Sequence, residues 1–127
     1  MIYLDYASTT PIDSEVLETY MRIQKNFFAN SSSIHKLGLE SNYMLEKTKE
    51  EIKNLLEVPN HNITFTYNAT EANNLAIFGI ANKYETGKII LSKIEHPSVK
   101  GPCEELKRRG FDVVYIDVLS NGQIDLQ

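Results

Sequence analysis

The sequence predicts an α/β fold, and three observations carry that expectation. Short runs rich in β-branched and aromatic residues recur at 62–67, 88–92 and 111–116. Segments with apolar residues at helical spacing lie between and before them. Gly, Pro, Asn or Asp marks most changeovers. The expected order is two helices followed by strand-helix-strand-helix-strand, as in a parallel sheet with crossover helices.

Residues 1–12 read as an extended, turn-rich arm, since Pro11 disfavours helix at the residue before it. Asp13 or Ser14 is placed to cap a first helix, which runs to about residue 26 with Val16, Leu17, Tyr20 and Met21 along one stripe. Ala29-Asn30-Ser31-Ser32-Ser33 is a polar loop whose side chains bond to nearby backbone. A long helix from about Leu37 to Glu57 sets Leu45, Ile52 and Leu55 against a solvated face of mixed charge. Pro59-Asn60-His61-Asn62 breaks it, and Ile63-Thr64-Phe65-Thr66-Tyr67 is expected as the first strand. The next helix is expected from Glu71 to about Tyr84, with Asn68 or Thr70 as its cap. Lys88-Ile89-Ile90-Leu91-Ser92 reads as a buried parallel strand. The fourth helix ends at Gly110, and Gly101-Pro102 suggests that its regular part starts only at Pro102. Phe111-Asp112-Val113-Val114-Tyr115-Ile116 closes the series as a strand. The chain then ends in a turn that feeds another element, so it reads as the front part of something larger.

Composition narrows the function. A chain of 127 residues, 42% hydrophobic and 24% charged, has the balance of one soluble domain. The net charge of −4 offers no broad basic field, so no direct nucleic-acid partner is expected. No apolar run approaches the roughly 20 residues a bilayer demands, and Met1-Ile2-Tyr3-Leu4-Asp5 does not resemble a secretory signal. The expectation is a cytoplasmic protein without membrane contact. The single cysteine, Cys103, excludes an internal disulfide, and Asp5, His35 and His61 have no spacing that assembles a metal site.

Two loops are candidates for chemistry. At Asn68–Glu71 a strand-like segment meets a helix start, whose first amides lack an earlier turn and sit at the positive end of the helix dipole, a setting for phosphate or carboxylate. The Thr70 hydroxyl adds a donor. His96 follows the strand 88–92, at the edge of a parallel sheet where ligands gather. A phosphate-holding helix start beside a flat aromatic base points to a phosphorylated, planar cofactor. Lys93 reads as a surface lysine or a partner of Glu95, and Cys103, followed by Glu104 and Glu105, as a packed, unreactive thiol.

At these residues the chain resembles the cysteine desulfurases, within the class V aminotransferase group of pyridoxal-phosphate enzymes. The resemblance runs through Tyr3-Leu4-Asp5-Tyr6-Ala7-Ser8-Thr9-Thr10-Pro11, through Asn30–His35 with Gly38, and through Ala69-Thr70-Glu71 with Asn73-Asn74-Leu75-Ala76. Glu95-His96 and then Gly122 with Asp125-Leu126 complete the order. It implies the N-terminal part of the large domain of a pyridoxal-phosphate-dependent transferase, with 1–15 as an arm and 16–127 as the start of the cofactor-binding domain. It further implies pyridoxal 5'-phosphate held by Ala69 and Thr70, with His96 stacked on its ring as a catalytic group.

The implied reaction converts L-cysteine to L-alanine and passes the sulfur to an enzyme cysteine as a persulfide, for iron–sulfur cluster assembly or tRNA thiolation. A sulfur-acceptor protein and a homo-oligomer are the implied partners. A selenocysteine lyase, another class V aminotransferase or a non-catalytic truncated remnant are the alternatives. The family commonly has glycine where this chain has Asn68, a change a left-handed backbone would tolerate, and proline where it has Ser31. Its Schiff-base lysine, pyridine-pairing aspartate and persulfide cysteine are expected beyond residue 127, which would leave this chain inactive alone. Without the strands that separate its neighbours in the family order, segment 62–67 is expected in a rearranged sheet or exchanged between chains.

Overall fold

The computed structural model describes residues 2–125. Leu126, the last residue of the Gly122–Leu126 motif, lies outside them, as does Met1. The element order is α1 (Ser14–Asn26), α2 (Lys36–Leu55), α3 (Ala69–Ala81), β1 (Lys88–Ser92), α4 (Pro97–Arg108) and β2 (Asp112–Ile116). The chain divides into two compact units, Met1–Ile63 and Thr64–Gln127.

In the first unit, local signals set the boundaries. Tyr3 donates its phenol proton to the Asp5 and Thr9 carbonyls at 3.0 and 3.2 Å, tying off the turn of the N-terminal arm. Asp13 caps α1 by accepting the Glu15 amide at 2.8 Å. Asn30 folds the serine loop, its Oδ1 accepting the Ser32 amide at 2.9 Å and its carbonyl the Ser33 amide at 3.0 Å. The N-cap of α2 is His35, whose Nδ1 accepts the Gly38 amide at 3.2 Å. Gly38 is required there, since a Cβ would sit 2.3 Å from the Ser33 carbonyl oxygen. The far end of α2 closes with the Val58 amide on the Lys53 carbonyl at 2.9 Å, which puts Glu57 in the left-handed region at φ 56°.

The second unit holds the buried apolar side chains. Leu106 and Cys103 are 1% and 2% exposed, joined by Ala81 and Leu91. β1 and β2 pair in parallel, Lys88 against Asp112 through Ser92 against Ile116, and α4 is the crossover between them. Ser98, Pro102, Cys103 and Leu106 form the buried stripe of α4. Complete burial of one Leu side chain is worth about 1.5–3 kcal/mol.

Four expectations are corrected. Residues 62–67 form no strand, so among the described residues the sheet has two strands rather than three. A strand exists only as half of a ladder, and no segment among the described residues pairs with this one. α4 starts at Pro97, not Pro102, because His96 caps it and Pro97 suits the first helical position. Pro102 inside the helix forgoes the bond its amide would make to Ser98, and burial of the stripe holds the turn in place. Asn68 is extended rather than left-handed, at φ −159° and ψ 174°. Lys93 is a surface lysine, as one of its two readings had it, but it pairs with Asp117 rather than with Glu95, whose carboxylate instead accepts the Ser92 hydroxyl at 2.8 Å.

Candidate functional site

The site begins at the start of α3. Asn68 accepts the Glu71 amide through Oδ1 at 2.9 Å, and Glu71 reaches back to accept the Tyr67 amide at 2.6 Å, a variant of the reciprocal capping box. The Ala72 amide bonds to the Asn68 carbonyl at 3.2 Å. The amides of Ala69 and Thr70 find no acceptor among the described residues, and neither does the Thr70 hydroxyl. Two free backbone donors and one hydroxyl thus sit at the positive end of the dipole, while the nearby Glu71 carboxylate is engaged by Tyr67.

His96 starts the next helix. β1 ends at Ser92, the Lys93 amide bonds to the Ile116 carbonyl at 3.0 Å, and the chain turns through Ile94 and Glu95 to His96. Its Nδ1 accepts the Ser98 amide at 3.1 Å and lies 2.8 Å from the Ser98 hydroxyl. That hydroxyl also accepts the Asn73 side-chain amide at 2.9 Å, linking α3 to α4.

Both helix starts face one open cleft of about 470 Å³. Thr70, Asn74 and Phe78, at successive i, i+4 positions of α3, form one wall, and His96, Pro97 and Ser98 begin the other. Arg109 stands over the Phe78 ring at 5.3 Å. The expected residues Thr70 and His96 therefore meet in one cavity, and Ala69 precedes Thr70 in the same first turn. Ser98, which lines it, and Asn73, which bonds to Ser98 from α3, were not anticipated. Their bond spans 25 positions of sequence, and no local spacing signals it.

The excluded residues stay apart from this chemistry. Cys103 is buried, and burial first, then the charges of Glu104 and Glu95, push its thiol up from the usual range. Among the described residues no cluster of His, Cys, Asp or Glu is arranged to hold a metal ion, and no helix is long and apolar enough to cross a membrane. A second cleft of about 370 Å³ near the N-terminal ends of the strands is lined mainly by apolar side chains, among them Ile77, Ile80, Ile89 and Phe111.

A helix start with unengaged donors, an imidazole at the next helix start and a parallel α/β frame surround one cleft, and comparison with known proteins identifies the family. The family model described as Aminotransferase class-V matches residues 2–127, and the chain belongs to that family. It is 42% identical over 131 residues to "Cysteine desulfurase IscS" of Pseudoalteromonas translucida (strain TAC 125), covering 99% of this chain and 32% of that protein. It is 40% identical to "Cysteine desulfurase, mitochondrial" of Drosophila melanogaster, covering 99% of this chain and 28% of that one. Among solved structures, a "NIFS-LIKE PROTEIN" superposes with a TM-score of 0.86 at 32% identity over 98% of this chain and 35% of that chain. "SspA in complex with cysteine" gives 0.77 at 38% identity over 89% of this chain and 33% of that chain. The chain spans about a third or less of the length of these curated relatives, 32% and 28%.

Proposed function

We propose that this chain carries the phosphate- and ring-holding part of a pyridoxal-phosphate site in a cysteine desulfurase that converts L-cysteine to L-alanine and hands on the sulfur. The observation that carries this reading is the shared cleft. Thr70 lies in it with unengaged donors, and His96 lies in it with an exposed ring. These residues fit the cofactor. The Ala69 and Thr70 amides and the Thr70 hydroxyl match a phosphate's acceptor oxygens, and an imidazole offers a flat face to a pyridine ring. When bound, that cofactor supplies an electron sink for bond cleavage next to an amino carbon.

In this arrangement α3 fixes the phosphate by its first turn. His96 orients the ring by stacking and holds or moves a proton at its imidazole. Neither the ion-paired Lys93 nor the buried Cys103 takes the lysine or sulfur-accepting role. On this reading both groups, and the aspartate that pairs with the pyridine nitrogen, lie beyond residue 127, and the chain alone releases no sulfide from cysteine. The relatives' names, and the neighbour solved "in complex with cysteine", support cysteine as substrate, and a sulfur-acceptor protein is the partner such a reaction calls for. The exposed Val16, Leu17, Tyr20 and Met21 of α1 support a homo-oligomer, and a cytoplasmic setting completes the reading.

Titration of the chain with pyridoxal 5'-phosphate, followed by cofactor fluorescence, tests the cradle. Thr70→Val and His96→Ala should each weaken binding about tenfold, corresponding to about 1.4 kcal/mol. Unchanged affinity in both variants would count against the site.

A further inference from the structure

We propose that Asn73 and Ser98 form a two-step relay that fixes the tautomer of His96, leaving Nδ1 bare and placing the ring proton on Nε2. The inference rests on the site described above for its catalytic meaning, but the relay itself is a property of this chain alone.

The argument starts from the one donor that cannot rotate. The Ser98 backbone N–H points at His96 Nδ1 at 3.1 Å, so in the neutral ring Nδ1 must offer its lone pair. A proton on Nδ1 would set two N–H groups against each other. The Ser98 hydroxyl lies 2.8 Å from the same nitrogen and, with Nδ1 an acceptor, donates to the same lone pair in a three-centre bond shared with the Ser98 N–H. Its own lone pair then needs a donor, and Asn73 Nδ2 supplies one at 2.9 Å. That sequence also settles the orientation of the Asn73 amide, because a carbonyl facing Ser98 would draw the hydroxyl proton away from His96.

Burial makes the chain of bonds count. Ser98 is 8% exposed, and its hydroxyl is served by Asn73 on one helix and His96 at the cap of another. Nε2 has no partner among the described residues. In its neutral form His96 therefore meets a ligand through Nε2 as a hydrogen-bond donor, suited to an oxygen acceptor on the bound group. Asn73 and Ser98 are positioning residues, acting only through His96.

Long-range proton–nitrogen correlation spectra of the nitrogen-15-labelled full chain, recorded above the imidazole titration range, read the tautomer directly. In the unmodified chain His96 should appear as the Nε2–H form. A dominant Nδ1–H form, or an equal mixture, would overturn the proposal. Ser98→Ala removes the hydroxyl but keeps the backbone donor, and should lower the Nε2–H to Nδ1–H ratio about fivefold, the worth of one net hydrogen bond. Asn73→Asp nearly keeps the shape, so the fold is preserved, yet it turns the hydroxyl toward a carboxylate and should shift the ratio in the same direction. An unchanged ratio in both variants also overturns it. Pyridoxal 5'-phosphate titration of the same samples separates the two claims. The expected tautomer without cofactor binding refutes the proposed function and supports the relay, whereas binding with the wrong tautomer refutes the relay alone.

Discussion

In the unit Met1–Ile63, α1 buries none of its residues and α2 buries only Gly38 and Ser41. In the unit Thr64–Gln127, one stripe of α4 buries Ser98, Pro102, Cys103 and Leu106, and Ala81 and Leu91 add to the core. The first unit is shaped by caps and turns, which are local, and its apolar side chains Val16, Leu17, Tyr20 and Met21 remain on the surface. The second is shaped by packing between elements far apart in sequence, and the candidate site lies there. Caps place helix ends, but a cleft with two opposed walls needs helices held against each other. The Asn73–Ser98 bond at the start of α4 and the Phe78–Arg109 contact at its end hold α3 against it.

The contrast is open to direct attack. The largest effect should come from Leu106→Ala, which empties a 1%-exposed position and should cost about 2–5 kcal/mol in chemical denaturation. Val16→Ala, at a residue 59% exposed in α1, should stay within about 0.5 kcal/mol. Equal losses from these two changes would show that α1 is packed in solution, and the comparison between units would fail.

Gly38→Ala tests the tightest local spot of the first unit. Its Cβ would meet the Ser33 and Asn30 carbonyl oxygens at 2.3 and 2.9 Å, so a cost of about 1–3 kcal/mol is expected, with faster amide exchange at the start of α2. Gly79→Ala in α3 meets nothing within 4 Å and should stabilise by about 0.5–1 kcal/mol. Asn68→Ala removes the α3 cap and should cost about 1 kcal/mol, read by the thermal midpoint.

The smallest effects are pH-dependent. Burial of the Cys103 thiol raises its pKa in the folded state. Below the ordinary thiol value of about 8.5 both states hold the proton. As pH rises through that value the unfolded chain loses its proton first, so stability declines. Denaturation midpoints measured from about pH 8 to pH 10 should fall, with a shallower slope in Cys103→Ala. Tyr115, which donates to Glu104, is pushed up to about 12, mainly by that bond. In Glu104→Gln its phenolate absorbance should appear nearer the ordinary value of about 10.

Much of this architecture was legible from residues alone, and the reasons are particular. Asp13 and Asn68 cap helices because a short side-chain oxygen reaches an amide two or three residues on. The β1 segment 88–92 and the β2 segment 112–116 show as β-branched runs bounded by turns. Thr70 and His96 were candidates because ligands gather at a helix start and in the loop after a parallel strand, and both line one cleft. Ser98 was not, since its importance comes from Asn73 on another helix.

By itself, then, the sequence determined what depends on neighbours along the chain: helix caps, the polar Asn30 loop, the two pairing strands, the glycine at Gly110 with φ 101°, and the residue types of the cleft. Tertiary structure alone decided whether 62–67 becomes a strand, that α4 runs on through the buried Pro102, whom Lys93 pairs with, and that Asn73 reaches the Ser98 hydroxyl. A cap is satisfied by atoms of its own segment. A ladder, a buried stripe or a relay needs a partner that only folding brings within hydrogen-bond range.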